Sequence, residues 1–239
     1  SFRAAGADMA YRRDLGISAE LIPAAELAAL EPGLPPMEGA AFFPKAVFLN
    51  DPGRMVGLLA ERVREGVEIL QARAERLERM PDGVAISGPG FQMKARRVVI
   101  AAGAHSRALA AMAGDRVPLD TERGYHVEWD MPSPRLTRPT CPTTRGFYLC
   151  PMQGRLRVAG TVELGGLTLP PNYKRAEILV QKTTEFLPGF AAEGGTQWMG
   201  FRPSTPDSLP VISPSTMSPH VIYGFGHGHL GLTQSAGTA

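Results

Sequence analysis

The chain has 239 residues, with 25 Lys and Arg against 23 Asp and Glu, and therefore a formal net charge of +2. The basic residues are scattered, which argues against the basic stripe by which proteins bind nucleic acid. No apolar run approaches the roughly 20 residues that cross a bilayer. Two cysteines, Cys141 and Cys150, are too few for a disulfide scaffold or a zinc tetrad, so we expect buried thiols in a reducing compartment.

The first half of the chain predicts helices followed by a β-meander. Pro23 starts one helix and Asp51-Pro52 caps another, because a proline suits the first helical position. Apolar runs bounded by Pro and Gly turns predict strands. The predicted helices are 24–30, 54–65 and 107–112, and the predicted extended or strand segments are 40–49, 67–70, 74–79, 84–87, 91–95 and 98–100.

The second half is richer in alternating apolar and polar residues, which is the pattern of half-buried strands. One helix is predicted over 173–187, before Pro188-Gly189, and a last helix begins near Leu230. The predicted strands are 125–129, 146–151, 156–163, 198–202 and 221–223.

These patterns predict a mixed α/β and α+β protein with two interleaved domains. Residues 50–116 and 204–239 read as one α/β domain, because apolar strands there run into helices. Residues 1–49 and 117–203 read as a mainly antiparallel β domain. We expect 98–100 and 221–223 to share one sheet.

Two strand-to-helix turns are candidate ligand contacts. Val98–Ile100 opens into Ala101-Ala102-Gly103, and Val221–Tyr223 opens into a glycine-rich turn that includes Gly226, His227, Gly228 and His229. Small residues let a ligand approach the backbone, and the helix start presents free N–H groups. Neither turn is a G-x-G-x-x-G fingerprint with its downstream acidic residue, so plain strand–turn–helix packing is the alternative.

One arginine, one tyrosine and two histidines each have a functional and a structural interpretation. Arg202, at a strand end before Pro203, could bind a carboxylate through its planar fork, or could instead pair with Asp207. Tyr148 faces either a cavity or the core. His227 and His229 have no further ligands at metal-binding spacing, so no metal site is predicted.

Five segments, in order, resemble the FAD-dependent D-amino-acid dehydrogenases and the wider D-amino-acid oxidase family, which includes glycine and sarcosine oxidases. Together they extend over nearly the whole chain: 27–32, 51–54, 98–106, 200–210 and 226–231. The family's N-terminal strand, G-x-G-x-x-G turn and helix have no counterpart here. The chain therefore resembles the middle and C-terminal part of such an enzyme.

The resemblance implies roles for individual residues. Arg202 matches the arginine that binds the substrate carboxylate, and Tyr148 matches a tyrosine that assists it. No catalytic acid, base or nucleophile is implied, since hydride passes to the flavin. The implied FAD contacts are Ala74, Ala101, Ala102, Gly103, Gly226, His227, Gly228, His229, Leu230, Gly231, Leu232 and Thr233.

The expected function is oxidation of the CH–NH2 group of a D-amino acid to an imino acid and then a 2-oxo acid. A glycine-, sarcosine- or hydroxyproline-oxidising enzyme, or a non-catalytic fragment, is the alternative. We expect the full-length protein to bind FAD and this chain alone to carry little or none. Oxygen or a respiratory chain would accept the electrons, in the cytoplasm or peripherally at the inner face of the membrane.

Overall fold

The computed structural model describes residues 2–239, except the side chain of Arg3. The chain forms two compact units. Unit 1 comprises the residues up to Arg62 together with Tyr125–Thr161 and Asn172–Trp198. Unit 2 comprises Val63–Gly124, Val162–Pro171 and Met199–Ala239. The predicted domain boundaries differ from these, and the division into 50–116 with 204–239 and 1–49 with 117–203 stays a prediction.

The helices and strands alternate along the chain. The α-helices are α1 (Ala5–Asp14), α2 (Ala24–Leu30), α3 (Pro52–Arg64), α4 (Ser106–Ala113), α5 (Lys174–Phe186) and α6 (Gly231–Thr238). The strands are β1 (Glu20–Pro23), β2 (Gly39–Phe42), β3 (Arg76–Met80), β4 (Gly83–Gly88), β5 (Phe91–Ala95), β6 (Val98–Ile100), β7 (Asp120–Asp130), β8 (Tyr148–Met152), β9 (Arg155–Leu164), β10 (Thr196–Ser204), β11 (Val211–Pro214) and β12 (Val221–Phe225).

A four-stranded sheet has the order β10-β7-β9-β8. In unit 1, alternate residues of β7, β8 and β9 point to one face and are buried against α5. The core residues include Val127, Trp129, Leu149, Val158 and Leu179. Each fully buried side chain of this size contributes about 1.5–3 kcal/mol relative to exposure. The alternation predicted from the sequence is therefore confirmed.

Unit 2 contains a second core around a small mixed sheet. Strand β12 pairs with β11 antiparallel and with β6 parallel, with Val221 opposite Val98 and Tyr223 opposite Ile100. The prediction that these two strands share a sheet is confirmed. The predicted meander is also confirmed, as the antiparallel sheet β3-β4-β5.

The carboxylate of Asp115, which follows α4, links that helix by hydrogen bonds to β12 and to the segment before it. It accepts hydrogen bonds from Ser215 Oγ at 2.5 Å and Tyr223 Oη at 2.6 Å, and from the hydroxyl of Thr216. These hydrogen bonds stabilise the charged carboxylate and lower the pKa of Asp115 to about 2. Burial, and then the hydrogen bond to Asp115, raises the pKa of Tyr223 to about 12.

Three sequence predictions are wrong in detail. Residues 67–70 form no strand, because no described strand lies beside them to complete a hydrogen-bonded ladder. Val67, Ile69 and Leu70 are accordingly more than half exposed. The extended segment 40–49 is a strand only in its first residues, as β2. The thiols of Cys141 and Cys150 are free but only half-buried.

Candidate functional site

The two predicted ligand-binding turns lie at the same edge of one sheet. Because β6 and β12 are parallel neighbours, their carboxyl ends meet side by side. Ala101 follows β6 and Gly226 follows β12. The predicted flavin contacts of unit 2, apart from Ala74, are therefore brought together by the topology. Ala74 lies in an exposed segment before β3.

The first turn presents backbone to solvent. Ala101 and Ala102 are exposed, and Gly103 has a φ of +55°, a left-handed conformation that disfavours a side chain. A short 3-10 helix, Gly103–His105, leads directly into α4. The turn thus combines small residues with the amino end of a helix.

The second turn has two left-handed glycines. Gly226 is buried with a φ of +87°, and a Cβ there would lie 3.3 Å from Cγ2 of Thr205. Gly228 has a φ of +55°. His227 Nε2 lies 3.0 Å from Oγ1 of Thr238, so this histidine contacts the end of α6. Leu230, Leu232 and Thr233 are exposed, as is His229.

Both turns contact the end of β10. The N–H of Gly228 donates to the carbonyl of Pro203 at 2.7 Å. The ring of His105 meets the ring of Phe201 edge-on, with 6.4 Å between centroids. Phe201 and Pro203 flank Arg202, so the strand that carries Arg202 is fixed to both turns.

Arg202 lies half-buried over Gly124 of β7, so close that a Cβ at residue 124 would overlap its guanidinium. No side chain that the structure describes forms an ion pair with Arg202. The alternative pairing with Asp207 is not formed, since the Asp207 carboxylate accepts the N–H of Leu209 at 3.1 Å. The guanidinium is therefore available to an external anion.

Two charged residues of β7 that the sequence analysis missed also lie here. Glu122 accepts the hydroxyl of Ser204 at 3.1 Å. Arg123 is fully buried and donates to the carbonyls of Gly166, Leu169 and Pro170 at 2.7–3.0 Å. The alternation of apolar and polar residues did not indicate these two residues, because charged residues are buried only where other parts of the fold supply partners. Those partners are not visible in the local sequence.

Tyr148 lies in unit 1 and is 59% exposed. It therefore does not face the core, and it lines a cavity of about 600 Å³ with Cys141, Leu34, Met37 and Phe186. Charge on the Cys141 sulfur, and then the hydrogen bond to it, raises the pKa of Tyr148. Among the described residues there is no metal-binding cluster of His, Cys, Asp or Glu.

None of the helices in the described part of the chain is long and apolar enough to cross a membrane.

Comparison with known proteins gives one consistent family. The family described as FAD dependent oxidoreductase (DAO) matches residues 1–239. A D-amino-acid oxidase of Bradyrhizobium diazoefficiens is 35% identical over 234 residues, 95% of this chain and 56% of that protein. D-amino acid dehydrogenase 3 of Mesorhizobium japonicum is 31% identical over 235 residues, 94% of this chain and 57% of that protein.

Solved structures show the same fold. Glycine oxidase from Geobacillus kaustophilus superposes with a TM-score of 0.86 at 22% identity, over 97% of this chain and 64% of that one. Iminodiacetate oxidase from Chelativorans sp. BNC1 has a TM-score of 0.77 at 20% identity, over 93% and 62%. The chain thus spans a little over half the length of the curated relatives it matches.

Proposed function

Because the chain belongs to the DAO family of FAD-dependent oxidoreductases, we propose that it oxidises the CH–NH2 group of a D-amino acid. The product is an imino acid, which water converts to a 2-oxo acid. FAD supplies the electron sink for this chemistry when it is bound. The choice of a D-amino acid is supported by the two relatives above 30% identity, which are a D-amino-acid oxidase and a D-amino acid dehydrogenase.

The observation that carries the proposal is the unpaired, half-buried guanidinium of Arg202 on a strand fixed to both turns. A partly desolvated cation without a counter-ion is costly unless a ligand supplies one. An arginine fork matches a carboxylate with two parallel hydrogen bonds. Arg202 therefore binds and orients the substrate carboxylate in this proposal.

The residues of the two turns fit a dinucleotide cofactor. Exposed alanines and left-handed glycines let a ligand reach the backbone, and the amino ends of α4 and α6 favour negative charge. Under the proposal the FAD contacts are Ala101, Ala102, Gly103, Gly226, His227, Gly228, His229, Leu230, Gly231, Leu232 and Thr233. Ala74 stays a weaker candidate, as it lies outside this cluster.

Tyr148 is proposed as a second substrate-binding residue on the family resemblance alone. Its exposed hydroxyl could donate to a carboxylate, and the cavity that it lines has room for a small ligand. The electron acceptor, oxygen or a respiratory chain, and the location, cytoplasmic or peripheral at the inner face of the membrane, stay predictions.

The test is product formation by the FAD-loaded full-length protein with a panel of D-amino acids, their L-enantiomers, glycine and sarcosine. We expect 2-oxo acid from D-amino acids and none from L-enantiomers. Turnover of glycine or sarcosine alone would favour the alternative substrate class. Absence of product from every amino acid, with flavin bound, would contradict the proposal.

A further inference from the structure

A second unpaired charge, of opposite sign, lies beside Arg202 in unit 2. Glu122 is half-buried, and its described contacts include one hydrogen bond, from the Ser204 hydroxyl, and no ion pair. Burying a carboxylate without a cation is unfavourable, as it is for the unpaired guanidinium. The site therefore holds one anion and one cation that do not neutralise each other.

The two charges share one face of the sheet. Gly124 lies against Arg202 and Glu122 against Ser204, and these contacts run in opposite chain directions, as in an antiparallel pair. Residues two apart on a strand point to the same face and are separated by about 6.6–6.8 Å. Glu122 and Arg202 are thus diagonal neighbours on adjacent strands. No ion pair between these two side chains is formed among the described residues.

A cation and an anion on the same face of a sheet suit a ligand that carries both charges. An α-amino acid bears its carboxylate and its ammonium group on one carbon, and each group can form a charge-assisted hydrogen bond. We propose that Glu122 binds the substrate ammonium group while Arg202 binds the carboxylate, so that Glu122 selects amino acids over 2-hydroxy acids. The inference rests on the proposed function and assigns to Glu122 a specificity that the relatives' names do not state.

The geometry around Ser204 supports this orientation. Its hydroxyl donates to Oε2 of Glu122 and so holds the carboxylate on the strand face, leaving Oε1 for the ligand. A Cβ at Gly228 would lie 3.7 Å from Ser204 Oγ, which places the pair beside the second turn. The ammonium group would then lie on the side of the site that faces the proposed cofactor residues.

The test uses two unreactive ligands with the same carbon skeleton. 2-Aminoisobutyrate is a zwitterion without the α-hydrogen that oxidation removes, and 2-hydroxyisobutyrate lacks the ammonium group. Binding of each to the FAD-loaded full-length protein is measured by calorimetry for the unchanged protein and for Glu122→Gln, Glu122→Asp and Glu193→Gln. Glu193 is an exposed glutamate of unit 1 and serves as the matched control.

We expect Glu122→Gln to weaken 2-aminoisobutyrate by about tenfold or more and 2-hydroxyisobutyrate by less than about twofold. Glu122→Asp should retain part of the preference, and Glu193→Gln all of it. Equal loss of both ligands, or no loss of either, would overturn the inference. Flavin reduction by a D-amino acid in the unchanged protein separates the two claims: without it the proposed function itself fails.

Discussion

At the scale of single residues, a charged side chain without a partner in the fold indicates a ligand-binding site more clearly than a charged side chain that is already paired. Arg123 donates to three carbonyls and pairs with Glu163 at 3.6 Å. Arg202 instead lies over the backbone of Gly124 and forms no ion pair with a described side chain. The first arrangement stabilises the 166–170 segment, and the second presents a fork to a ligand.

Substitution of Arg202 tests its role. We expect Arg202→Ala and Arg202→Lys to lower kcat/KM strongly, with Ala costing roughly 2–5 kcal/mol of transition-state binding, because the substrate carboxylate loses its paired cation. Flavin content and melting temperature should hardly change, since Arg202 makes no ion pair with described residues. An intact kcat/KM, or a loss explained by unfolding, would contradict this role.

Gly124 offers an independent test. We expect Gly124→Ala to weaken carboxylate binding, because the added methyl would displace the guanidinium of Arg202. 2-Hydroxyisobutyrate, a carboxylate without an ammonium group, is a suitable probe for calorimetry. Gly57→Ala is the control, since Gly57 lies in α3 with open space around it. Equal affinity of both variants for 2-hydroxyisobutyrate would contradict a role of Arg202 in binding the carboxylate.

At the scale of elements, the two turns depend on backbone conformations that only glycine adopts easily. We expect Gly226→Ala to destabilise the second turn by about 1–2 kcal/mol, because a left-handed conformation is strained for alanine. The affinity of the full-length protein for FAD should fall in the same variant. Gly237→Ala, in the open part of α6, is the control and should leave FAD affinity unchanged. Measurements are thermal unfolding and flavin titration.

The Asp115 hydrogen bonds predict a pH dependence of stability. The pKa of Asp115 falls from its ordinary 3.8 to about 2 in the folded protein, so its stabilising contribution is present above pH 4. It is lost as pH falls from about 4 to about 2, because the unfolded chain takes up the proton first. Asp115→Asn should flatten this part of the stability curve. An unchanged slope in chemical denaturation would argue against it.

Most of the helices and strands were predictable from the sequence, because the spacing of apolar residues indicates which face of an element is buried. The meander, α2, α3 and the pairing of β6 with β12 follow from local apolar patterns and turn residues. The predicted strand over 67–70 failed, since a strand also needs a partner and the apolar pattern alone does not supply one. Glu122 and Arg123 escaped prediction for a related reason: only the sheet brings Ser204 and residues 166–170 to them.

At the scale of the whole molecule, the proposed FAD contacts lie mainly in two turns, and the chain spans a little over half the length of its curated relatives. Both turns present small residues and helix starts, but neither is a G-x-G-x-x-G fingerprint with its downstream acidic residue. We expect the purified 239-residue chain to carry little or no FAD, which the visible flavin absorbance per mole of chain measures. Stoichiometric flavin would show that the two turns suffice.

The proposed function requires that electrons pass from a D-amino acid to FAD. The most direct measurement is the flavin absorbance of the FAD-loaded full-length protein, in the absence of oxygen, after addition of D-alanine or L-alanine. We expect bleaching by the D-enantiomer, none by the L-enantiomer, and much slower bleaching in Arg202→Lys. A flavin that stays oxidised with every D-amino acid tested would contradict it.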